Sequence, residues 1–160
     1  MTSPFFIRLN TDWNAQPNVP LPEILTNGTA LELRILLTAP RQRDEESDAI
    51  KLTFYDCRTW RLGSPNDEGW YRGQCRYGSL APEWGHFYEI AGEDPLRDQP
   101  DDWQTMPLPG KGKRHYLFYL RDETFECIAD RWMLMPIRAR AQVSSTANGL
   151  VGISGIEYLD

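Results

Sequence analysis

No stretch of this 160-residue chain approaches the roughly 18 consecutive apolar residues that a membrane-spanning helix needs. The opening ten residues carry one charge and only Phe5, Phe6 and Ile7 as an apolar run, too short for the core of a secretory signal. Cysteine is scarce as well. Cys57, Cys75 and Cys127 form no C-x-x-C, and an odd number of three argues against a disulfide framework. The expected location is therefore the cytoplasm, and Asn27-Gly28-Thr29, although it matches a glycosylation acceptor, reads as a turn.

Catalytic and metal-binding patterns are equally thin. There are two histidines, His86 and His115, and neither neighbours a serine motif of the G-x-S-x-G kind. Gly110-Lys111-Gly112-Lys113 lacks both the spacing and the strand–helix context of a phosphate loop, and reads as a solvated basic tip. A zinc site needs three or four converging ligands. His86 and Glu89 lie three apart, so on a regular strand they point to opposite faces and cannot converge with His115 on one ion. Glu93, Asp94, Asp101 and Asp102 do not follow the calcium-loop spacing. No catalytic residue, metal or cofactor is expected from these patterns.

Helical periodicity is the last absence, and strand periodicity takes its place. Leu31, Leu33, Ile35 and Leu37 alternate with Glu32, Arg34, Leu36 and Thr38, the mark of a half-buried strand. Asn27-Gly28 before it is a preferred type I′ hairpin pair, which should return residues 22–26 beside 29–38. Further strands are expected from Ile50 through Phe54, over 84–90, over 115–120, over 125–129 and over 137–143. Asn148-Gly149 should turn the last of these back through 150–158. His115 to Leu120 is apolar on both faces and should be a central strand. Six Trp, seven Tyr and six Phe supply a large aromatic core, and twelve Pro with twelve Gly suit many turns. The reading is mainly β: one domain over 1–160, an antiparallel sandwich or partly open barrel of about ten strands with little helix.

Two stretches stand apart. Residues 63–69, GSPNDEG, lie between aromatic runs and should form a hairpin tip centred on Asn66, with Trp60 facing Arg72 and Cys57 facing Cys75. The second stretch is acidic. Residues 83–103 hold Glu83, Glu89, Glu93, Asp94, Asp98, Asp101 and Asp102 against Arg97 alone, which accounts for the whole net charge of −6. Most of it falls in 92–113, a long proline-containing loop, with a helical turn expected near Asp101-Asp102-Trp103. Such a segment repels nucleic acid and attracts a basic partner.

The expected function is that of a non-catalytic binding protein, for example an immunity-type inhibitor that covers the basic cleft of a toxin. Its contact residues would be Asp67, Glu68, Trp70, Tyr71 and Arg72 of the tip, with Glu93, Asp94, Asp98, Asp101, Asp102 and Trp103 of the acidic loop. One alternative is a small-ligand or carbohydrate site walled by several of Trp60, Trp70, Trp84, Tyr88, Tyr119 and Trp132. Another is an enzyme site that gathers His86, His115 and a carboxylate.

Overall fold

The computed structural model describes residues 3–39, 45–64, 67–73, 75–78, 80–81, 83–145 and 151–160. Eleven strands and one short helix form two antiparallel sheets. The first sheet runs β1 (Phe5–Arg8), β6 (Phe87–Ala91), β8 (Arg114–Tyr119), β9 (Thr124–Ala129), β5 (Thr59–Gly63) and β7 (Gln104–Thr105). The second runs β11 (Val151–Leu159), β10 (Arg131–Ser145), β4 (Glu46–Tyr55), β3 (Ala30–Leu36) and β2 (Glu23–Asn27). One of the two is a strongly curled half-barrel, so the expected β-sandwich or partly open barrel is the architecture found.

Alternation decides what each strand buries. Leu31, Leu33 and Ile35 of β3 and Ile50, Leu52 and Phe54 of β4 face inward from the second sheet. They meet Phe87, Tyr116, Phe118, Phe125, Cys127 and Ala129 from the first, so this core is filled by interdigitated rings and aliphatics. Trp60 and Trp132 also pack there rather than around a cavity.

The first sheet is buried on its other face too. Tyr88, Ile90, Leu117 and Tyr119 point outward and meet Tyr77, Ala81, Trp70, Trp84 and Leu96 from a layer drawn from residues 67–103. That second cover is why β8 reads as apolar on both faces. The strand lies between β6 and β9, as its pattern requires.

Three local expectations are corrected. The β2–β3 hairpin pairs Asn27 with Ala30, so its two-residue loop is Gly28-Thr29 and not Asn27-Gly28. Gly28 has φ +60° and Thr29 does not have positive φ, which suits a II′ turn with glycine first. The hairpin about residue 66 does not form. After Gly63 the chain leaves the sheet, residues Asp67–Tyr71 make helix α1, and β5 pairs with β9 and β7 instead. Trp60 therefore faces Cys127, and Cys57 lies in the core while Cys75 is in the cover, both free. Asn66 itself lies outside the described residues. Within 92–113, the turn falls at 95–98 rather than at 101–103.

The Gly110–Lys113 segment is also not a solvated tip. Its lysines are exposed, but Gly110 and Gly112 are buried, with Gly110 N–H donating to Cys57 O at 2.7 Å and Gly112 N–H to Asp56 O at 2.9 Å. The Asn148-Gly149 turn lies outside the described residues, although β10 and β11 pair antiparallel on either side of it. No helix among the described residues is long and apolar enough to cross a membrane.

Candidate ligand-binding site

The outward face of the first sheet carries charge where a covered face should be apolar. Arg61 of β5 and Glu126 of β9 are direct cross-strand partners, 8% and 1% exposed. Arg61 Nη1–H donates to Glu126 Oε2. Arg76, from the covering layer, donates to Glu126 Oε1. His115 of β8 meets the same oxygen through Nε2 at 2.7 Å, and because a carboxylate only accepts, Nε2 carries the hydrogen. Three strands and the cover thus converge on one buried carboxylate.

The network extends outward on both sides. Arg61 also grips Asp102 through Nε at 2.7 Å and Nη2 at 3.1 Å, a two-point fork. Trp103 lies beside the same guanidinium, 6.0 Å from its ring centroid, and edge-on to His115 at 5.9 Å. Arg76 stacks 4.4 Å from the Tyr77 ring centroid, and the Tyr77 hydroxyl donates to Asp94. His115 Nδ1 stands 3.7 Å from Asp94 Oδ2, beyond hydrogen-bond distance, and has no hydrogen-bond partner among the described residues.

These contacts fix the charge states. Burial would push the Glu126 carboxyl up, but His115 and Arg76 outweigh it and hold the group at about 2. Asp94 is likewise brought to about 2 against its own burial by His115, Tyr77 and the Leu96 N–H. Burial would lower Arg61, yet Asp102 and Glu126 raise it above its ordinary value. Burial pushes the Cys75 thiol up, so it stays protonated near neutral pH and is a poor nucleophile.

Against this cluster lies a cavity of about 270 Å³, lined by Arg61, Arg76, Glu126, Cys75, Tyr77 and Tyr119, with Leu117, Thr124, Gln99 and Pro100 completing the wall. Its size is near the lower end of small-molecule sites. Tyr119 is 2% exposed, and its hydroxyl has no hydrogen-bond partner among the described residues. Burial pushes that phenol well above its ordinary value, so it is a neutral group able to donate or accept. Beyond the Tyr119 ring, which packs at a tilt on Trp84 with centroids 4.6 Å apart, a second cavity of about 360 Å³ is lined by Trp84, Tyr71, Asn14, Asn18 and Arg121 among others.

The expected contact residues separate into three groups. Asp94, Asp102 and Trp103 belong to the buried network. Glu93, Asp98 and Asp101 are exposed and enter no ion pair among the described residues, whereas Glu89 is held by Arg114 at 2.6 and 2.8 Å. In the former tip, Asp67 and Glu68 open α1, Trp70 packs on Trp84 and Tyr119, Tyr71 is 80% exposed, and Arg72 follows the helix on the surface.

Of the aromatics expected to wall a pocket, Tyr119 lines the first cavity, and Tyr119 with Trp84 the second. The two histidines stay apart. His86 pairs with Glu83 at 2.7 Å beyond the end of β6 opposite to the one that meets His115. Among the described residues no group of three or more His, Cys, Asp or Glu is placed to hold a metal ion.

Of Arg61, Arg76, Glu126 and His115, the sequence singles out His115 alone, as one member of a site with His86 and a carboxylate. The available signal was a charge in the middle of an apolar strand, Phe125-Glu126-Cys127-Ile128, which demands a buried partner. Comparison with known proteins adds nothing to this geometry: no family model, curated protein or solved structure matches the chain.

Proposed function

We propose that this chain is a non-catalytic, cytoplasmic binding protein whose ligand is a small polar molecule seated in the Arg61–Arg76–Tyr119 cavity. The observation that carries the reading is Tyr119, a residue of the cavity wall whose buried hydroxyl has no hydrogen-bond partner among the described residues. A buried polar group without a partner costs roughly 1–3 kcal/mol, a penalty that a ligand's hydrogen bond would relieve. The protonated Cys75 and the fully engaged Glu126 favour binding over catalysis.

Tyr119→Phe separates a ligand-directed hydroxyl from a structural one. The variant should be as stable as the parent or about 1 kcal/mol more stable, moving the melting temperature up by roughly 2–4 °C. It should also lose most of the thermal shift produced by any small molecule that a ligand screen on the parent identifies. A drop in stability would assign the hydroxyl a structural role and remove the reading.

A second reading rests on Glu93, Asp98 and Asp101. The Asp102–Arg61 and Asp94–Tyr77 contacts hold their segment against the sheet and leave these three charges exposed, with no ion pair among the described residues. A basic protein partner, such as a toxin countered by an immunity-type inhibitor, would find a preformed acidic rim there. Capture of small basic proteins from a panel should then weaken at least tenfold between about 50 and 500 mM salt, and neutralising all three residues should abolish that dependence. Salt-independent capture would exclude this partner chemistry.

A further inference from the structure

We infer that the ligand of the Arg61 cavity carries a carboxylate, which takes the Arg61 fork from Asp102. The inference rests on the cavity reading above and adds the chemical class of the occupant. Arg61 is 8% exposed and lines the cavity, and a guanidinium edge offering two parallel N–H groups matches a carboxylate in shape and charge. That edge is held by Asp102 at 2.7 and 3.1 Å.

Unlike Glu126, which is sealed in by Arg61, Arg76 and His115, the Asp102 side chain is 49% exposed. Rotation of this one side chain into water frees the fork, with the aspartate regaining hydration as it leaves. Gln99 and Pro100, three and two residues before it in the chain, form part of the cavity wall, and the arginine it holds forms another part.

Charge favours exchange over simple addition. Around the cavity the charges of Arg61 and Arg76 are already balanced by Glu126 and Asp102, so a further anion would leave negative charge in excess. Exchanging one carboxylate for another leaves the total unchanged. Leu117, Pro100 and the Tyr77 ring offer an apolar wall for the rest of the molecule, and the Tyr119 hydroxyl remains for a second polar group. Asp102 thus acts as a built-in competitor that sets the affinity.

The test is a calorimetric or NMR titration of the full chain and its Asp102→Asn variant with benzoate and with benzamide, two probes alike except for charge. Benzoate should bind the parent weakly and the variant about fivefold more tightly, the size expected for releasing one half-exposed ion pair. Benzamide should gain nothing from the substitution. Equal binding of the two probes, or no gain for benzoate in Asp102→Asn, overturns the carboxylate inference. If both probes bind equally and Tyr119→Phe weakens both, the cavity reading survives without it. If benzoate binds neither protein the inference falls, and the cavity reading falls with it only when the wider screen also finds no Tyr119-dependent ligand.

Discussion

Glu126→Gln should cost about 3–5 kcal/mol of folding stability, a large share of the roughly 5–15 kcal/mol that a domain possesses. The substitution keeps the volume of the side chain and removes its charge. Arg61 and Arg76 would then face an amide whose nitrogen cannot accept their hydrogens, and His115 Nε2 would compete for the one oxygen left. At 1% exposure little of the side chain is open to water that could repair the loss. Urea unfolding of parent and variant measures the difference directly. A loss below about 1 kcal/mol would mean that the cluster is not the keystone of the covering layer.

The same residue makes a pH prediction whose sign is fixed. Glu126 is held at about 2 in the folded protein, below its ordinary 4.5. A depressed carboxyl stabilises the fold fully above the unfolded value, and that contribution drains away as pH falls from about 4.5 towards 2. The gap corresponds to roughly 3 kcal/mol. Asp94, brought from 3.8 to about 2, acts in the same direction. The parent should therefore lose stability steeply across this window, and Glu126→Gln should lose much less, because its own contribution is already gone. Parallel acid slopes in the two proteins would contradict the assignment.

How much of this was legible in the sequence follows from the range of each signal. Leu31-x-Leu33-x-Ile35 marks its strand because alternation is local, and β8 reads as central because both of its faces are apolar. The first sheet's second cover follows from that reading once it is taken seriously. By contrast, the Arg61–Glu126 pair depends on β5 lying beside β9, a pairing across 65 residues that leaves no local trace. The turn-rich 63–69 stretch promised a hairpin because glycine, proline and asparagine mark a change of direction without saying whether the chain returns to its neighbour. Here it leaves the sheet and supplies the cover, which carries Trp70, Arg76 and Tyr77 onto the outward face. The acidic stretch shows a related limit. Charge placement picks out the segment, but Asp94 and Asp102 are spent on His115, Tyr77 and Arg61, and composition cannot distinguish a docked aspartate from a free one.

Gly112→Ala should be at least as damaging as Glu126→Gln, with a loss of roughly 3 kcal/mol or more, and it probes the far end of the covering segment. A β-carbon at Gly112 would stand 2.1 Å from Ala129 C, 2.3 Å from Asp130 N and 2.5 Å from Ala129 Cα. All three are backbone atoms, so no side chain can swing aside. The site is a crossing of two turns. Gly112 N–H donates to Asp56 O, and Asp130 N–H donates to Tyr55 O, both at 2.9 Å, so the chain at 112 is clamped between the β4–β5 turn and the β9–β10 turn. Admitting one methyl group means pushing β9 and β10 away from that clamp. Lys113→Ala, one residue on and exposed, should change stability by less than about 0.5 kcal/mol. If urea midpoints show the two variants alike, the crossing is not tight. If Gly112→Ala alone unfolds early, the clamp at 110–112 and the Asp102–Arg61 contact both hold the chain that follows the Gln99–Pro100 wall of the cavity. Partial loosening at Gly112 should then also lower the affinity of any ligand that Tyr119 contacts, although the substitution touches none of the lining residues.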